Sequence, residues 1–321
     1  MKKALLVGIN EYDNGNNLNY CVKDINSIKK LLEYNGDETK NFDISTIEGY
    51  CTSNKLKESL KNLFQDDSEI ALFYFSGHGH DYNGGYICTS DSQQIGIEMS
   101  EIINLANNSK SKNKIIILDC CFAAKLGEIE QLQNCTLIAK GVTVISASET
   151  WQFAAEDGKE QHGIFTSLLI KGLEGGAADL NGNITPAGLY SYIDKSLGAW
   201  DQRPVFKTNI SQFLSIRKVP AKVPISLFRK ICELFEFPDS HYKLNPSYEF
   251  TNALNYKHEI KEPFAIAKNI EVFKELQLLE SVGLIEPVGE KHMYFAAMNN
   301  KACKLTELGK HYWNLSKNKR I

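Results

Sequence analysis

A thiol and an imidazole lie at the ends of two apolar segments of this sequence. The segment "IALFYFSGHGH" runs into a turn that carries His78, and the segment "KIIILDCC" ends in Cys120 and Cys121. A free thiol has a pKa of about 8.5 and needs a nearby proton acceptor to act as a nucleophile at neutral pH. A cysteine beside a histidine would therefore suit nucleophilic catalysis. Taken alone, "DCC" is also typical of core filling, and that alternative stays open from these residues.

The two segments belong to a predicted sheet. Short continuous apolar runs alternate with segments of helical spacing, and continuous apolar strands are buried on both faces. We therefore expect an α/β fold in which helices sandwich a mostly parallel sheet. The predicted strands are 3–9, 42–47, 69–76, 114–120 and 142–147, and the predicted helices are 21–34, 54–64, 99–108, 163–174 and 185–197.

Three of these strands end in polar or small residues. The first ends in "GIN", the third in "SGH" and the fourth in "DCC". Parallel pairing would bring these ends to one edge of the sheet, which is where ligands bind in such folds. The glycines on either side of His78 would let the backbone turn sharply and leave the imidazole open to a substrate.

These stretches resemble the two active-site signatures of caspase-like cysteine peptidases, the clan that contains caspases and metacaspases. "YFSGHG" and "IIILDCCFA" carry the resemblance, and "SASETWQFAAEDGKEQHGIFTSLLIKGL" and "QRPVF" followed by "QFLSI" extend it over residues 1–216. The resemblance implies that His78 is the base and Cys121 the nucleophile. It also implies that the amides of Gly79 and Cys121 form the oxyanion hole. Cys120 should then point into the core, and His80 should be a surface residue.

The resemblance also implies a substrate preference. Asp24, Ser76 and Asp119 match the positions that line the acidic pocket of metacaspase-like relatives, which select arginine or lysine before the cut bond. Two carboxylates would favour the planar guanidinium of arginine, with lysine next. For Asp24 an alternative stays open, in which it is a first-turn helix residue that interacts with the helix dipole.

Composition narrows the setting of the protein. The sequence has 321 residues, a formal charge of −3 and eight cysteines without a C-x-x-C pair, which disfavours a structural zinc site. No apolar run approaches the roughly 20 residues of a membrane helix, and "MKKALLVGIN" is typical of a strand and not of an export signal. We therefore expect a cytoplasmic protein with no membrane partner. We expect no cofactor and no metal, although some metacaspases require calcium and that requirement stays open.

The last hundred residues have a different pattern of apolar and polar residues. Two prolines in "RKVPAKVPISLF" suggest a linker, so we predict a peptidase domain over 1–217, a linker over 218–224 and a second domain over 225–321. The second domain should contain helices at 225–237 and 268–282, a hairpin in "HMYFAAMNNKACKLT" and a closing helix in "TELGKHYWNL". This order resembles a smaller winged-helix (α+β) domain.

The charge of the second domain favours a protein partner over nucleic acid. The helix that would enter a DNA groove carries a net charge of −1, from Lys268 and Lys274 against Glu271, Glu275 and Glu280. Phosphate neutralisation dominates nucleic-acid affinity, so this helix would read DNA poorly. We expect a protein activator or sensor to bind this domain, in a role such as bacterial defence against phage.

The sequence thus predicts a cysteine endopeptidase that acts on protein substrates and is regulated through its C-terminal domain. Relatives are often processed between the nucleophile and the next strand, where Lys125 and Lys140 are candidates for self-cleavage. The alternative is a binding protein, in which the same scaffold acts without turnover as an adaptor or as a winged-helix DNA-binding regulator.

Overall fold

The computed structural model describes residues 1–80, 85–91, 96–120, 128–129, 132–147, 162–198, 203–210, 212–257 and 259–321. The chain divides into two compact units, Met1–Pro220 and Ala221–Ile321. Within the described ranges, no helix is long and apolar enough to cross a membrane.

The first unit alternates strands and helices along the chain. Its elements are β1 (Lys2–Ile9), α1 (Cys21–Glu33), β2 (Phe42–Gly49), α2 (Ser53–Gln65), β3 (Ile70–Ser76), β4 (Gly79–His80), β5 (Tyr86–Ile87), β6 (Ile97–Glu98), α3 (Met99–Asn108), β7 (Asn113–Asp119), β8 (Glu128–Ile129), β9 (Leu132–Thr136), β10 (Val142–Ser146), α4 (Ile164–Lys171), β11 (Asn183–Ile184), α5 (Pro186–Lys195), β12 (Val205–Thr208) and β13 (Arg217–Lys218).

A central sheet organises this unit. Its strand order is β12-β10-β7-β3-β1-β2, and all neighbours are parallel except β12, which runs antiparallel to β10. Every residue of β3 is buried, as the continuous apolar run predicts. Helices α2 and α3 pack on one face, and α1, α4 and α5 pack on the other. The predicted α/β fold with a sandwiched, mostly parallel sheet is confirmed.

Local sequence explains the helix boundaries. Thr52 caps α2 by accepting a hydrogen bond from the backbone N–H of Lys55, and Thr185 caps α5 in the same way from Gly188, with Pro186 in the first turn. The predicted helix over 163–174 ends as a regular α-helix at Lys171 and continues as a π-helical turn over Gly172–Gly176.

The strand ends are aligned. In the sheet register, Gly8 of β1 pairs with Ser76 of β3, and Ser76 pairs with Asp119 of β7. Gly8 lets β1 approach the start of α1 closely, because a Cβ at this position would lie 2.3 Å from the carbonyl oxygen of Cys21. The predicted convergence of three strand ends at one edge is therefore confirmed for the residues up to Cys120.

The second unit is a helical domain with a small antiparallel sheet. Its elements are α6 (Ile225–Leu234), β14 (His241–Lys243), α7 (Ala267–Ser281), β15 (Ile285–Val288), α8 (Met293–Met298), β16 (Ala302–Leu305) and α9 (Glu307–Lys317). The sheet has the order β14-β16-β15, and Trp313 anchors α9 by donating its indole N–H to the carbonyl of Phe235 at 2.7 Å.

The predicted hairpin within "HMYFAAMNNKACKLT" is wrong in its first half. Residues Met293–Met298 form the helix α8, and β16 pairs instead with β15, which precedes that helix. Met293, Ala296 and Ala297 are buried at helical spacing. A short apolar run such as this fits either a strand or a helix, and here packing of the i, i+3, i+4 face decides. The predicted helix over 225–237 also ends earlier, because Phe235 is extended.

Candidate active site

His78 stands two residues beyond the end of β3, half-buried at the carboxyl edge of the sheet. Gly77 allows this turn, since a Cβ there would lie 2.7 Å from the Phe75 ring and 2.8 Å from the Tyr12 hydroxyl oxygen. The backbone N–H of His78 donates to that hydroxyl oxygen at 2.9 Å, and the two rings pack with centroids 4.8 Å apart. Tyr12 therefore fixes both the backbone and the ring of His78.

The imidazole is oriented by a backbone carbonyl. His78 Nε2 lies 2.9 Å from the carbonyl oxygen of Asn16. Because a carbonyl oxygen can only accept, the ring proton on this side belongs to Nε2. Nδ1 is then the nitrogen that can accept a proton from a thiol. A neutral imidazole with one unprotonated ring nitrogen can act as a general base, and the backbone carbonyl of Asn16 selects which nitrogen that is.

Cys121 and Lys125 lie outside the described residues. Cys120, Gly79 and His80, which lie near Cys121 in the sequence or at the same edge of the sheet, are described. Cys120 is completely buried in the core on the α2 and α3 face, as predicted. His80 is exposed, and its predicted place at the surface is confirmed. Gly79, whose amide we expect in the oxyanion hole, begins the short strand β4 directly after His78.

Two other cysteines near this edge, Cys21 and Cys51, are poor candidates for a nucleophile. Cys21 is buried at the start of α1, and burial raises the pKa of its thiol to about 12, with the nearby Asp24 carboxylate adding to the effect. Burial likewise raises the pKa of Cys51 to about 11. Both groups stay protonated at neutral pH, and a protonated thiol is a weak nucleophile.

Asp24 and Ser76 meet, as the predicted pocket requires. Asp24 lies in the first turn of α1, and its carboxylate is buried. Ser76 donates its hydroxyl to Asp24 Oδ2 at 2.8 Å, and His162 Nδ1 lies 2.7 Å from Asp24 Oδ1. Although Asp24 occupies a position where a helix dipole would favour it, its side chain makes tertiary hydrogen bonds that link α1, β3 and the start of α4.

Asp119 ends β7 one strand away. The hydroxyl of Thr166 donates to Asp119 Oδ2 at 2.5 Å, and the hydroxyl oxygen of Tyr74 lies 2.5 Å from the same threonine oxygen. Since Thr166 gives its proton to the carboxylate, the Tyr74 hydroxyl donates to Thr166. This chain of hydrogen bonds fixes the Asp119 carboxylate from the buried side of the sheet.

The two carboxylates interact electrostatically. Burial raises the pKa of Asp119 to about 7, with the charge of Asp24 adding to the rise and the hydrogen bond from Thr166 opposing it. Burial also raises the pKa of Asp24, and hydrogen bonds from His162 and Ser76 offset part of that rise. Two desolvated carboxyl groups, one of which raises the proton affinity of the other, form a site that a cation would stabilise.

A polar cavity of about 640 Å³ adjoins the histidine. Its lining combines the loop after β1 with the segments around His78 and Ser90, and the side chains that it presents are mostly amides and hydroxyls. The lining residues are Tyr12, Asn14, Asn16, Asn17, His78, Gly79, His80, Cys88, Thr89, Ser90 and Asp91. A peptide chain beside His78 would therefore find hydrogen-bonding partners here.

Sequence reasoning missed the residues that support the site from a distance. Tyr12 and Asn16 hold His78, while Thr166 and His162 hold the two aspartates. The signal that could have found the last two is "HGIFT", which follows the fifth predicted strand. Within the described part of the chain, no group of three or more histidine, cysteine, aspartate or glutamate residues could hold a metal ion.

The chain matches one family model over most of this unit. The model is that of the caspase domain, and it covers residues 1–212. A comparison with curated proteins gave no match. The matched range contains the sheet, the edge on which His78, Ser76 and Asp119 lie, and the sequence position of Cys121. The chain therefore belongs to the caspase-domain family of cysteine peptidases.

Proposed function

We propose that this protein is a cysteine endopeptidase that cleaves after arginine, and less readily after lysine, through Cys121 and His78. The observation that carries the proposal is the pair of desolvated carboxylates, Asp24 and Asp119, at the edge of the sheet that also presents His78. A basic side chain bound there would hold the following peptide bond beside the dyad. Ser76 lines the same pocket and orients Asp24.

The proposed reaction follows from the chemistry of the two groups. His78 Nδ1 accepts the thiol proton, and Cys121 Sγ attacks the carbonyl carbon of the bond to be cut. The amides of Gly79 and Cys121 would stabilise the oxyanion, each donor lowering the barrier by about 3 kcal/mol. The intermediate collapses to a thioester as His78 gives its proton to the leaving amine. Water then hydrolyses the thioester and restores the thiol.

The preference for arginine rests on geometry and charge. A guanidinium can donate two parallel hydrogen bonds to one carboxylate, whereas an ammonium acts as a point charge. Two carboxylates that share a desolvated site favour the first arrangement. An aspartate side chain at this position would add a third negative group, so we expect peptides with aspartate before the cut to be rejected.

We propose the second unit as a protein-interaction domain that recruits an activator or sensor. The succession of helix α6, strand β14, helix α7, the paired strands β15 and β16 and the closing helix α9 supports the winged-helix assignment. Lys230 pairs with Glu275 of α7 at 2.6 Å, so the charge of this lysine is balanced within the second unit and is not free to contact a phosphate. This charge balance supports a protein partner. A cytoplasmic role in defence against phage remains a proposal of the same kind.

Covalent labelling tests the peptidase proposal at the reactive thiol itself and needs no turnover. A short peptide with arginine before a chloromethyl ketone would be incubated with the full-length protein, and the modified residue would be located by mass spectrometry. We expect labelling of Cys121, loss of labelling in Cys121→Ala and retention in Cys120→Ala, because Cys120 is buried in the core. Labelling of His78→Ala should be at least tenfold slower.

The same experiment separates the alternative of a non-catalytic adaptor or DNA-binding regulator. An adaptor has no need for a reactive thiol beside a base, so Cys121 would react no faster than a free cysteine in solution. Equal labelling by a matched peptide with aspartate in place of arginine would support the Cys121–His78 dyad but contradict the acidic pocket.

A further inference from the structure

A histidine outside the proposed dyad lies on the acidic pocket. His162 precedes α4 directly, and its Nδ1 is 2.7 Å from Asp24 Oδ1. The imidazole is 14% exposed and the Asp24 side chain 4% exposed. This contact joins residues 138 positions apart in the chain, so it is a product of the tertiary fold.

The contact completes the hydrogen bonding of Asp24. Its Oδ1 faces His162 and its Oδ2 accepts from Ser76, so both carboxylate oxygens already have internal donors. Other ionisable groups coupled to this carboxylate are Lys23, Asp119, Tyr74 and the Cys21 thiol, and burial leaves the phenol and the thiol uncharged at neutral pH. A ligand that grips Asp24 through both oxygens must replace at least one of these donors.

The residue after His162 lies against the second carboxylate. A Cβ at Gly163 would be 3.3 Å from Asp119 Oδ2, so a side chain here would require this carboxylate to shift by a few tenths of an ångström. Thr166, one turn further on, donates to the same oxygen. The start of α4 therefore contacts both of the carboxylates that we assign to substrate binding.

We propose that His162 is a specificity-determining residue that occupies Asp24 in place of the basic side chain of the substrate. In the substrate-free protein its N–H satisfies a buried carboxylate, which would otherwise lose its hydration without a replacement partner. Arginine then enters by displacing the imidazole from Asp24 Oδ1. The inference rests on the proposed function, because it concerns the same pocket.

The proposed displacement of His162 by arginine predicts whether substitutions of His162 strengthen or weaken arginine binding. Substrate binding to the wild type must break the His162–Asp24 hydrogen bond, so removing the imidazole removes a competitor. Arginine binding should become tighter in His162→Ala by about three- to tenfold, which is the value of one ordinary hydrogen bond. His162→Gln keeps an N–H donor of similar reach and should bind arginine like the wild type.

A binding measurement tests this independently of turnover. Two peptide amides that end in arginine or in its uncharged isostere citrulline would be titrated into the full chain by calorimetry. The full chain would carry Cys121→Ala, alone and together with His162→Ala or His162→Gln. We expect tighter arginine binding only in the His162→Ala protein, and no change in citrulline binding in either double variant. Thermal unfolding of each variant would verify that it is folded.

The outcomes separate the inference from the proposed function. Weaker or unchanged arginine binding in His162→Ala would overturn the inference and make His162 a lining residue of the pocket or a purely structural one. Equal affinity for arginine and citrulline in both the His162-containing protein and His162→Ala would overturn the proposed substrate preference itself. If His162→Ala does not fold, tighter arginine binding than wild type by His162→Gln would count against the inference, and equal binding would support it.

Discussion

Asp119 shows how a residue of the proposed pocket would trade stability for binding. Burial raises its pKa to about 7 from an ordinary value of 3.8, so the folded protein favours the protonated form. A carboxyl group with a raised pKa contributes stability that is complete below its unfolded pKa. That stability is lost as the pH rises through the folded pKa. At pH 8 the ionised Asp119 therefore destabilises the fold, and a bound cation would offset this electrostatic cost.

This sign gives a prediction for Asp119→Asn. The neutral amide should raise the free energy of unfolding at pH 8, by up to about 4 kcal/mol for a difference of about three pKa units, and should have little effect near pH 4. Urea denaturation at both pH values would measure the change. The same variant should bind arginine peptides more weakly at pH 8.

A matched control exists on the surface. Lys310 holds the pKa of Asp239 below its usual range through a hydrogen bond, so Asp239→Asn should show the opposite sign, with a loss of stability at pH 8. Equal effects of Asp119→Asn at the two pH values would show that Asp119 is not desolvated in the folded protein.

At the scale of elements, the site depends on the alignment of strand ends with the start of α1. Gly8, Ser76 and Asp119 lie side by side in the sheet, and Gly8 lets the first turn of α1 approach β1. The close approach of α1 to β1 therefore determines how far Asp24 lies from the strand ends. A one-residue slip of β1 would place a side chain against α1 and move Asp24 away from Ser76.

Gly8→Ala is therefore expected to damage the site more than the fold. Its Cβ would lie 2.3 Å from the Cys21 carbonyl oxygen, so α1 must shift. Overpacking of this kind costs about 1–3 kcal/mol. We expect the rate of Cys121 labelling by the arginine reagent to fall at least tenfold, measured at a temperature where the variant stays folded.

Gly289→Ala serves as the control for stability. Gly289 has a positive φ of 73° and no heavy atom within 4 Å of an added Cβ, so alanine there adds backbone strain in the second unit without steric overlap. If Gly8→Ala lost no more Cys121 labelling than Gly289→Ala, the position of Asp24 relative to the strand ends would not depend on the close approach of β1 and α1.

Element prediction succeeded where a pattern was long and its burial uniform. The five predicted strands agree with β1, β2, β3, β7 and β10 within two residues, whereas the other strands of the first unit, including the antiparallel edge strand β12, are not predicted. Continuous apolar runs such as those of β3 and β7 mark strands buried on both faces. The segment from Met293 to Met298 failed because six apolar residues fit either periodicity and only packing against neighbours decides.

At the scale of the whole molecule, the sequence predicts the residues that do the chemistry better than those that support them. Ser76 and Asp119 end their strands and His78 lies two residues beyond one, so local patterns locate them, and the fold brings Asp24 to Ser76. The contacts of His162 with Asp24 and of Thr166 with Asp119 span 138 and 47 residues. No local spacing encodes such contacts, which arise only when α4 packs on the sheet.

The division into two units gives the protein a peptidase body and a separate helical domain with its own small sheet. The caspase-domain match ends at residue 212, before the second unit begins. Regulation through the second unit would therefore be a property added to the family fold.

A cleavage-site profile tests the central claim most directly. The purified full-length protein, with the products of neighbouring genes where an activator is needed, would be incubated with a peptide library from a digested proteome. Cut sites would be read by mass spectrometry against a Cys121→Ala control. We predict cuts that depend on Cys121, with arginine most often and lysine next before the cut bond. A preference for aspartate at that position would contradict the acidic pocket, and cuts that persist in Cys121→Ala would contradict the dyad.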